Sequence, residues 1–158
     1  MMPSMASTSY STAQEYIVTQ KFSVEIQGLE VAYFSECSGL EMNTEVFEYA
    51  EGGLNGYTHK LPVRTKVGNI TLRRGLVQDD TLWTWYSAVL DGTIDRKAIT
   101  INAYYQTAAT TSESKISWTL ADALPVKWTG PSFKASDNAV AIEAIEFACG
   151  AFTRVSGG

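Results

Sequence analysis

Short runs of alternating apolar and polar residues recur along the chain, and they limit what it can fold into. A period of two places one set of side chains on each face of a β-strand. The clearest runs are residues 22–26, 41–49, 69–73, 99–105 and 116–120. With the less regular extended segments they predict a mainly β fold, an antiparallel sandwich or small barrel of seven or eight strands.

One segment has the period of a helix instead. Apolar residues recur there at the spacing of a single helical stripe, namely Leu82, Trp85, Tyr86, Val89 and Leu90. Asp79 or Asp80 can cap its N-terminus, and Gly92 can end it in the left-handed conformation. We therefore expect one helix over about residues 80–91, packed on a sheet through this stripe.

Other segments are less clear. The alternation in residues 41–49 slips one position, which suggests a bulge. Residues 30–37 read as one strand, 107–114 as a polar hairpin loop, and 124–133, with two prolines, as an extended, kinked return. The composition of residues 139–148 favours a helix, but we predict a strand because an antiparallel sheet of this size needs a closing partner.

Length and composition indicate one domain. The chain has 158 residues, of which 45% are hydrophobic, so it can bury a core without disulfides. Residues 1–15 are rich in Ser and Thr and predict a flexible N-terminal arm, followed by a single β domain over residues 16–155. Cys37 and Cys149 match no metal or redox spacing and are expected to be free core residues.

Charge and hydropathy exclude several classes of partner. A net charge of −5 argues against sequence-specific or wrapping contacts with nucleic acid, which need clustered Lys and Arg. No segment has the roughly 20 apolar residues needed to span a bilayer. The start of the chain has neither a basic residue nor an apolar run, so we expect no secretory signal and no direct membrane anchor.

No reaction centre is visible in the sequence. His59 is the only histidine, and no nucleophile motif accompanies it. Glu143 and Glu146 have the composition of a catalytic carboxylate pair, but on a strand they would point to opposite faces. We therefore predict no catalytic, cofactor-binding or metal-binding residues, and a protein that is not an enzyme.

Four basic residues make the densest positive patch. They are Arg64, Lys66, Arg73 and Arg74. One interpretation is a solvated or salt-bridged face. The other is contact with an acidic surface on a neighbouring subunit.

Residues 51–75, EGGLNGYTHKLPVRTKVGNITLRRG, open with a loop of closely spaced glycines and then run into a strand. A loop this rich in glycine either approaches another backbone closely or extends to a partner.

The stretch also resembles the tail tube proteins of contractile phages and bacterial contractile injection systems. Four other stretches resemble that family in the same order, FSECSGLE (34–41), LWTW (82–85), PVKWTGP (125–131) and FKASDNAVAIEAIEF (133–147). Val63, where glycine often follows Leu-Pro, and Ala148-Cys149, where polar residues are usual, depart from the family pattern.

The resemblance implies a structural protein. Tube proteins of this family form six-membered rings that stack into a hollow tube, surrounded by a sheath and capped by a baseplate. Sheath contraction drives the tube through a target envelope, and a tape-measure protein or other cargo occupies the lumen. The chain would be made in the bacterial cytoplasm and end in the inner tube. The residues themselves leave open a monomeric β module that binds a ligand or peptide.

Two assembly surfaces follow as hypotheses. Residues 48–59 would contact the next ring, with Tyr49 and Tyr57 as buried anchors. Residues 16–22 and 152–155 would lie at borders between subunits, where open strand edges can pair. The predicted interface residues are Tyr16, Phe22, Tyr49, Glu51, Gly52, Gly53, Leu54, Asn55, Gly56, Tyr57, His59, Phe152 and Arg154.

Overall fold

The computed structural model describes residues 21–27, 29–31, 34–53, 56–107, 110–136 and 138–156. Within these ranges the chain forms antiparallel strands and one helix, so the expected fold class is confirmed. The elements are β1 (Lys21–Ile26), β2 (Leu29–Val31), β3 (Glu36–Ser38), β4 (Met42–Tyr49), β5 (His59–Val67), β6 (Ile70–Gly75), α1 (Thr81–Leu90), β7 (Lys97–Thr107), β8 (Thr110–Thr129), β9 (Ile142–Ala148) and β10 (Ala151–Ser156).

Strand β8 belongs to two sheets. Its first half pairs with β7 on one side and β10 on the other, and β7 continues through β1 to β2. We call this the large sheet. The second half pairs with β9, which continues through β6 to β3 and makes the small sheet. Asp122, between the two halves, has a φ of 54°, a left-handed conformation that redirects the strand.

The core lies between the two sheets. Its fully buried side chains come from both, as the alternation predicts, and include Val24, Ile99, Ile101 and Leu120 from the large sheet and Ile70, Leu72, Ile145 and Phe147 from the small sheet. Each such side chain contributes about 1.5–3 kcal/mol when it leaves water. These residues hold the two halves of β8 in one packed unit.

The helix is confirmed within one residue at each end. The side chain that bonds to the first turn of the helix is Asp79 and not the N-cap residue Asp80. Asp79 Oδ1 accepts from the backbone N of Thr81 at 3.2 Å and from Oγ1 of Thr81 at 2.6 Å. These two bonds lower the pKa of Asp79, the hydroxyl bond most. Gly92 ends the helix with a φ of 88°.

The predicted stripe of the helix is only partly buried. Leu82 and Trp85 are in the core, where Trp85 lies 5.3 Å from Phe147 between ring centroids. Leu90 is 64% exposed, contrary to the stripe. The helix therefore packs on the core through Leu82 and Trp85, and through the partly buried Val89.

Three expectations about strand boundaries were wrong. Residues 107–114 are not a loop, since β7 reaches Thr107 and β8 starts at Thr110, where threonine suits a pleated surface. Residues 124–133 are strand up to Thr129, because a register irregularity next to Pro125 accommodates the missing donor. Residues 30–37 form no single strand. The chain leaves β2, buries Phe34 and enters β3, and each of these edge strands has only three residues.

The last predicted strand and the free cysteines are confirmed. Residues 142–148 form a strand, and Glu143 and Glu146 bond to different partners on its two sides, Arg74 and Asn69. Cys37 and Cys149 are free and half-buried. Across the described ranges, no helix has the length and apolar character needed to cross a membrane. The same ranges contain no group of three or more side chains suited to a metal ion.

Candidate assembly surfaces

Strands β4 and β5 form a separate two-stranded hairpin. Among the described residues they pair only with each other, and a bond of 3.0 Å from Gly68 N to Glu41 O closes the base of the hairpin, next to the small sheet. The register shifts between Glu45 and Val46, which confirms the bulge expected from the slipped alternation. The glycine-punctuated segment is the tip of this hairpin rather than a loop lying on a sheet.

Most of the large exposed apolar side chains of the hairpin share one face, opposite the face with the Lys and Glu pairs. Those at least half exposed are Met42, Val46, Phe47, Tyr57, Leu61 and Val63. An isolated two-stranded hairpin is marginal in water. Contiguous exposed apolar surface marks a contact site in soluble proteins. The hairpin therefore has the properties of an element that is completed by a partner.

An aromatic cluster organises the tip. The His59 ring lies parallel to Tyr49, with centroids 5.1 Å apart, and meets Tyr57 edge-on at 5.2 Å. His59 Nε2 is 3.0 Å from Glu51 Oε2, so the ends of both strands are tied to the turn. The structure thus brings together four predicted interface residues. Gly52, Gly53 and Gly56 lie in open space beside them, Gly53 with a φ of 103°.

Polar pairs hold the register of the hairpin shaft. Lys66 bonds to Glu45, Lys60 Nζ lies 3.2 Å from Glu48 Oε1, and the Thr44 and Thr65 hydroxyls are 3.0 Å apart. These groups are exposed, so each pair contributes at most about 1 kcal/mol.

The predicted basic patch is largely salt-bridged and divided between two places. Lys66 is on the hairpin, and Arg73 Nη1 lies 3.5 Å from Glu36 Oε2 on the surface of the small sheet. Arg74 is not a surface residue. Its side chain is 3% exposed and lies inside the subunit.

Arg74 links four parts of the subunit. Its Nε donates to Glu143 Oε1 at 2.5 Å, and its Nη2 donates to the backbone O of Asp79 at 3.1 Å. The guanidinium also lies 5.9 Å from the centre of the Phe34 ring. These contacts connect β6 with β9, the segment before the helix and the segment before β3.

The residues predicted at subunit borders lie on strands of the large sheet. Phe22 on β1 and Phe152 on β10 are half-buried and pack against the core, whereas Arg154 is exposed. Within the described ranges, β10 pairs only with β8, and β2 covers β1 only from Val24 onward. One edge of β10, and one edge of β1 at residues 22–23, therefore have no strand paired to them. Tyr16, Leu54 and Asn55 lie outside the described residues.

The sequence prediction did not include the exposed hairpin shaft among the interface residues. Phe47 and Leu61 are opposite each other and more than half exposed, yet the sequence pattern gave them no site. Alternation predicts a strand with a buried face, and nothing local shows that the face has nothing packed on it. The local signal for an exposed shaft was that charged residues lie on one face of the hairpin and most of the apolar residues on the other.

The sequence pattern of the T4-like virus tail tube protein gp19 family matches residues 18–153. The chain belongs to the tail tube protein family. Two solved structures similar to it are the tube-terminating cap of the anti-feeding prophage, 30% identical with a TM-score of 0.79, and the sheath–tube complex of the PVC extracellular contractile injection system, 27% identical with a TM-score of 0.76. The first match covers 97% of this chain and 100% of that one, and the second covers 96% and 99%.

A more distant structure shares the fold alone. A type six secretion system protein is 11% identical with a TM-score of 0.53, over 87% of this chain and 89% of that one. Among curated proteins, the search finds no significant match. The tail tube protein is thus a structural tube component of a phage tail-like particle, as the resemblance implied. The monomeric binding module is not favoured.

Proposed function

We propose that the tail tube protein forms rings of six copies that stack into the inner tube of a contractile injection system or contractile phage tail. A sheath surrounds this tube, a baseplate or tube-initiator protein nucleates it, and a tape-measure protein or other cargo occupies the lumen. The similar proteins support the sheath and the baseplate as partners, since they come from a sheath–tube complex, a sheath/tube terminator and a baseplate. Assembly would take place in the bacterial cytoplasm.

The hairpin is the observation that carries the stacking role. It projects from the small sheet with most of its apolar residues on one face and an aromatic cluster at its tip. A contact between rings would bury the exposed parts of Phe47, Leu61 and Tyr57, and each of these side chains would stabilise the contact by about 1–2 kcal/mol. Residues 48–59, with Tyr49 and Tyr57 as anchors, are the proposed centre of this contact.

Strand edges are the proposed contact within a ring. One edge of β10, with Phe152 and Arg154, has no strand paired to it among the described residues. The same is true of the edge of β1 opposite β7 at Phe22, where β2 does not reach. Backbone pairing between neighbouring copies would satisfy both edges and close the ring. Tyr16 is included in the same proposed border.

The first experiment removes the hairpin contact. A deletion of residues 52–56, and separately the double substitution Phe47→Ser with Leu61→Ser, should leave a folded subunit that does not stack. The matched control is Ile94→Ser, because Ile94 is 66% exposed but lies beyond the helix and away from the hairpin. Electron microscopy of particles from producing cells measures tube length, and circular dichroism checks the fold. Tubes of normal length from both hairpin variants would reject the stacking role.

The second experiment tests the ring contact. Amide hydrogen exchange is compared between dispersed subunits and tubes, and stronger protection of residues 152–155 is expected in the tube. Equal protection in the two states would contradict the border proposal. An antibody against the chain that labels only dispersed particles, and no exposed tube ends, would restore the monomeric binding module.

A further inference from the structure

Stacked rings require two different surfaces on each subunit. A contact that repeats along an axis without closing is heterologous, so the surface that one copy presents differs from the surface that receives it. The proposed function supplies the first surface, the hairpin, and the inference that follows rests on it. The receiving surface should lie at the other end of the subunit.

The small sheet defines which end that is. The hairpin joins the subunit immediately before Ile70, the first residue of β6. Strand β6 then runs six residues, about 20 Å, to Gly75. Gly75 pairs with Ile142 at the start of β9, whereas Ile70 pairs with Phe147 near its end. The segments around Gly75 and Ile142 therefore lie at the end of the small sheet opposite the hairpin.

An apolar groove is present at that opposite end. It has a volume of about 460 Å³ and is lined by Ser132, Phe133, Lys134, Ala135, Ala139 and Ala141. We call it the distal groove. Phe133 is 77% exposed at its wall, and Val140, 76% exposed, lies between the lining residues Ala139 and Ala141 in the chain. The backbone N of Leu76 donates to Ala141 O at 2.8 Å, which fixes the groove to the end of β6.

The shape and charge of the distal groove suit the hairpin tip. Three alanines keep the lining short, which leaves space for a flat aromatic ring beside Phe133. Lys134 gives this surface a positive charge, and the tip has Glu51, which bonds to His59, the residue that Tyr57 packs against. We propose that the distal groove of one copy receives the aromatic tip of the hairpin of a second copy in the next ring, with Tyr57 entering beside Phe133.

Cysteine cross-linking tests this pairing in assembled particles. Tyr57→Cys and Val140→Cys are introduced together in place of the native chain, and sheathed tubes are purified and treated with a short thiol-to-thiol cross-linker. Because every copy has both sites, correct pairing should give a ladder of dimers, trimers and longer chains on a denaturing gel. Each single variant should give no ladder. The matched pair Tyr57→Cys with Ile94→Cys should give none either, although Ile94 is 66% exposed.

A second variant keeps the test decisive if the double cysteine chain does not assemble. Val140→Asp places a charge in the proposed contact and should reduce the fraction of chain found in tubes by about tenfold or more. Stability of the subunit should not change measurably, because the site is exposed. Ile94→Asp is the control and should assemble like the natural chain.

The outcomes separate this inference from the proposed function. Normal tubes from Val140→Asp, or normal tubes from the double cysteine chain without a ladder, would overturn the distal groove as the receptor and leave the tube role intact. Absence of the chain from tubes even without substitutions would overturn both. A ladder specific to the Tyr57 and Val140 pair would establish the receptor.

Discussion

The ion pair between Arg74 and Glu143 gives the sharpest test of how the subunit is held together. Arg74 is 3% exposed and Glu143 12% exposed, and the guanidinium also bonds to the backbone of Asp79. Both charges have left water, so each depends on the other for compensation. Two single variants, Glu143→Gln and Arg74→Met, each remove one charge of the pair. A double variant, Arg74→Met with Glu143→Met, removes both.

The structure sets the expected magnitudes. Loss of one partner of a buried pair typically costs about 3–5 kcal/mol, because the remaining charge is buried without compensation. Arg74→Met leaves the Glu143 carboxylate partly accessible to water, so we expect about 3 kcal/mol. Glu143→Gln keeps an oxygen for Arg74 Nε, and Asp79 remains nearby, so about 2 kcal/mol is expected. The double methionine variant should cost less than Arg74→Met alone, since no charge remains and the volume is filled.

Urea unfolding of the isolated subunit, followed by tryptophan fluorescence, measures these free energies. The double variant is the internal control, because it separates the loss of packing from the loss of charge compensation. A double variant less stable than Arg74→Met would refute the reasoning. The charge compensation between the two side chains would then not be what stabilises the subunit.

Three other predictions concern local features. Asp79→Ala should cost about 1 kcal/mol at neutral pH. Because bonds from Thr81 lower the pKa of Asp79 below its ordinary 3.8, this contribution is present above that value and is lost as pH falls below it, so natural and variant chains should converge in acid unfolding curves. Burial raises the pKa of the Cys37 thiol to about 11, so its alkylation at pH 8 should be about tenfold or more slower than that of a peptide thiol until urea unfolds the chain. Equal rates would contradict that burial. Gly39→Ala should cost more than about 2 kcal/mol, because Gly39 has a φ of 91° and a Cβ there would lie 2.1 Å from Asn69 O. Gly53 is also left-handed but lies in open space, so Gly53→Ala should cost about 1 kcal/mol. Equal shifts of the unfolding temperature in Gly39→Ala and Gly53→Ala would contradict the close contact between residue 39 and Asn69 O.

Local patterns predicted most of the elements because their causes are local. The spacing of Leu82 and Trp85, with Asp79 before and Gly92 after, is enough to define α1. The course of β8 was not predictable in the same way. Its passage between two sheets depends on the left-handed Asp122 and on the pairing of Pro125 with Phe147, and both are set by partners far away in the chain.

The candidate surfaces divide in the same way. The closely spaced glycines indicated the hairpin tip, so Glu51, Tyr57 and His59 could be predicted from the sequence as interface residues. The shaft was missed, since alternation in β4 looks the same whether a face is covered or bare. The distal groove has no sequence signature either. It arises because the end of β6 and the segment before β9 meet, and only the paired strands bring Phe133 and Val140 to the end opposite the hairpin.

The position of β9 also orders events during synthesis. Within the described residues, β3 pairs with β6, and β6 joins the rest of the sheet only through β9. Strand β9 follows both in the chain and leaves the ribosome later. Until then β6, and the hairpin attached to it, have no scaffold on which to dock. A nascent chain without β9 therefore lacks the strand that orients the hairpin, so we expect polymerisation to begin only after β9 has been made.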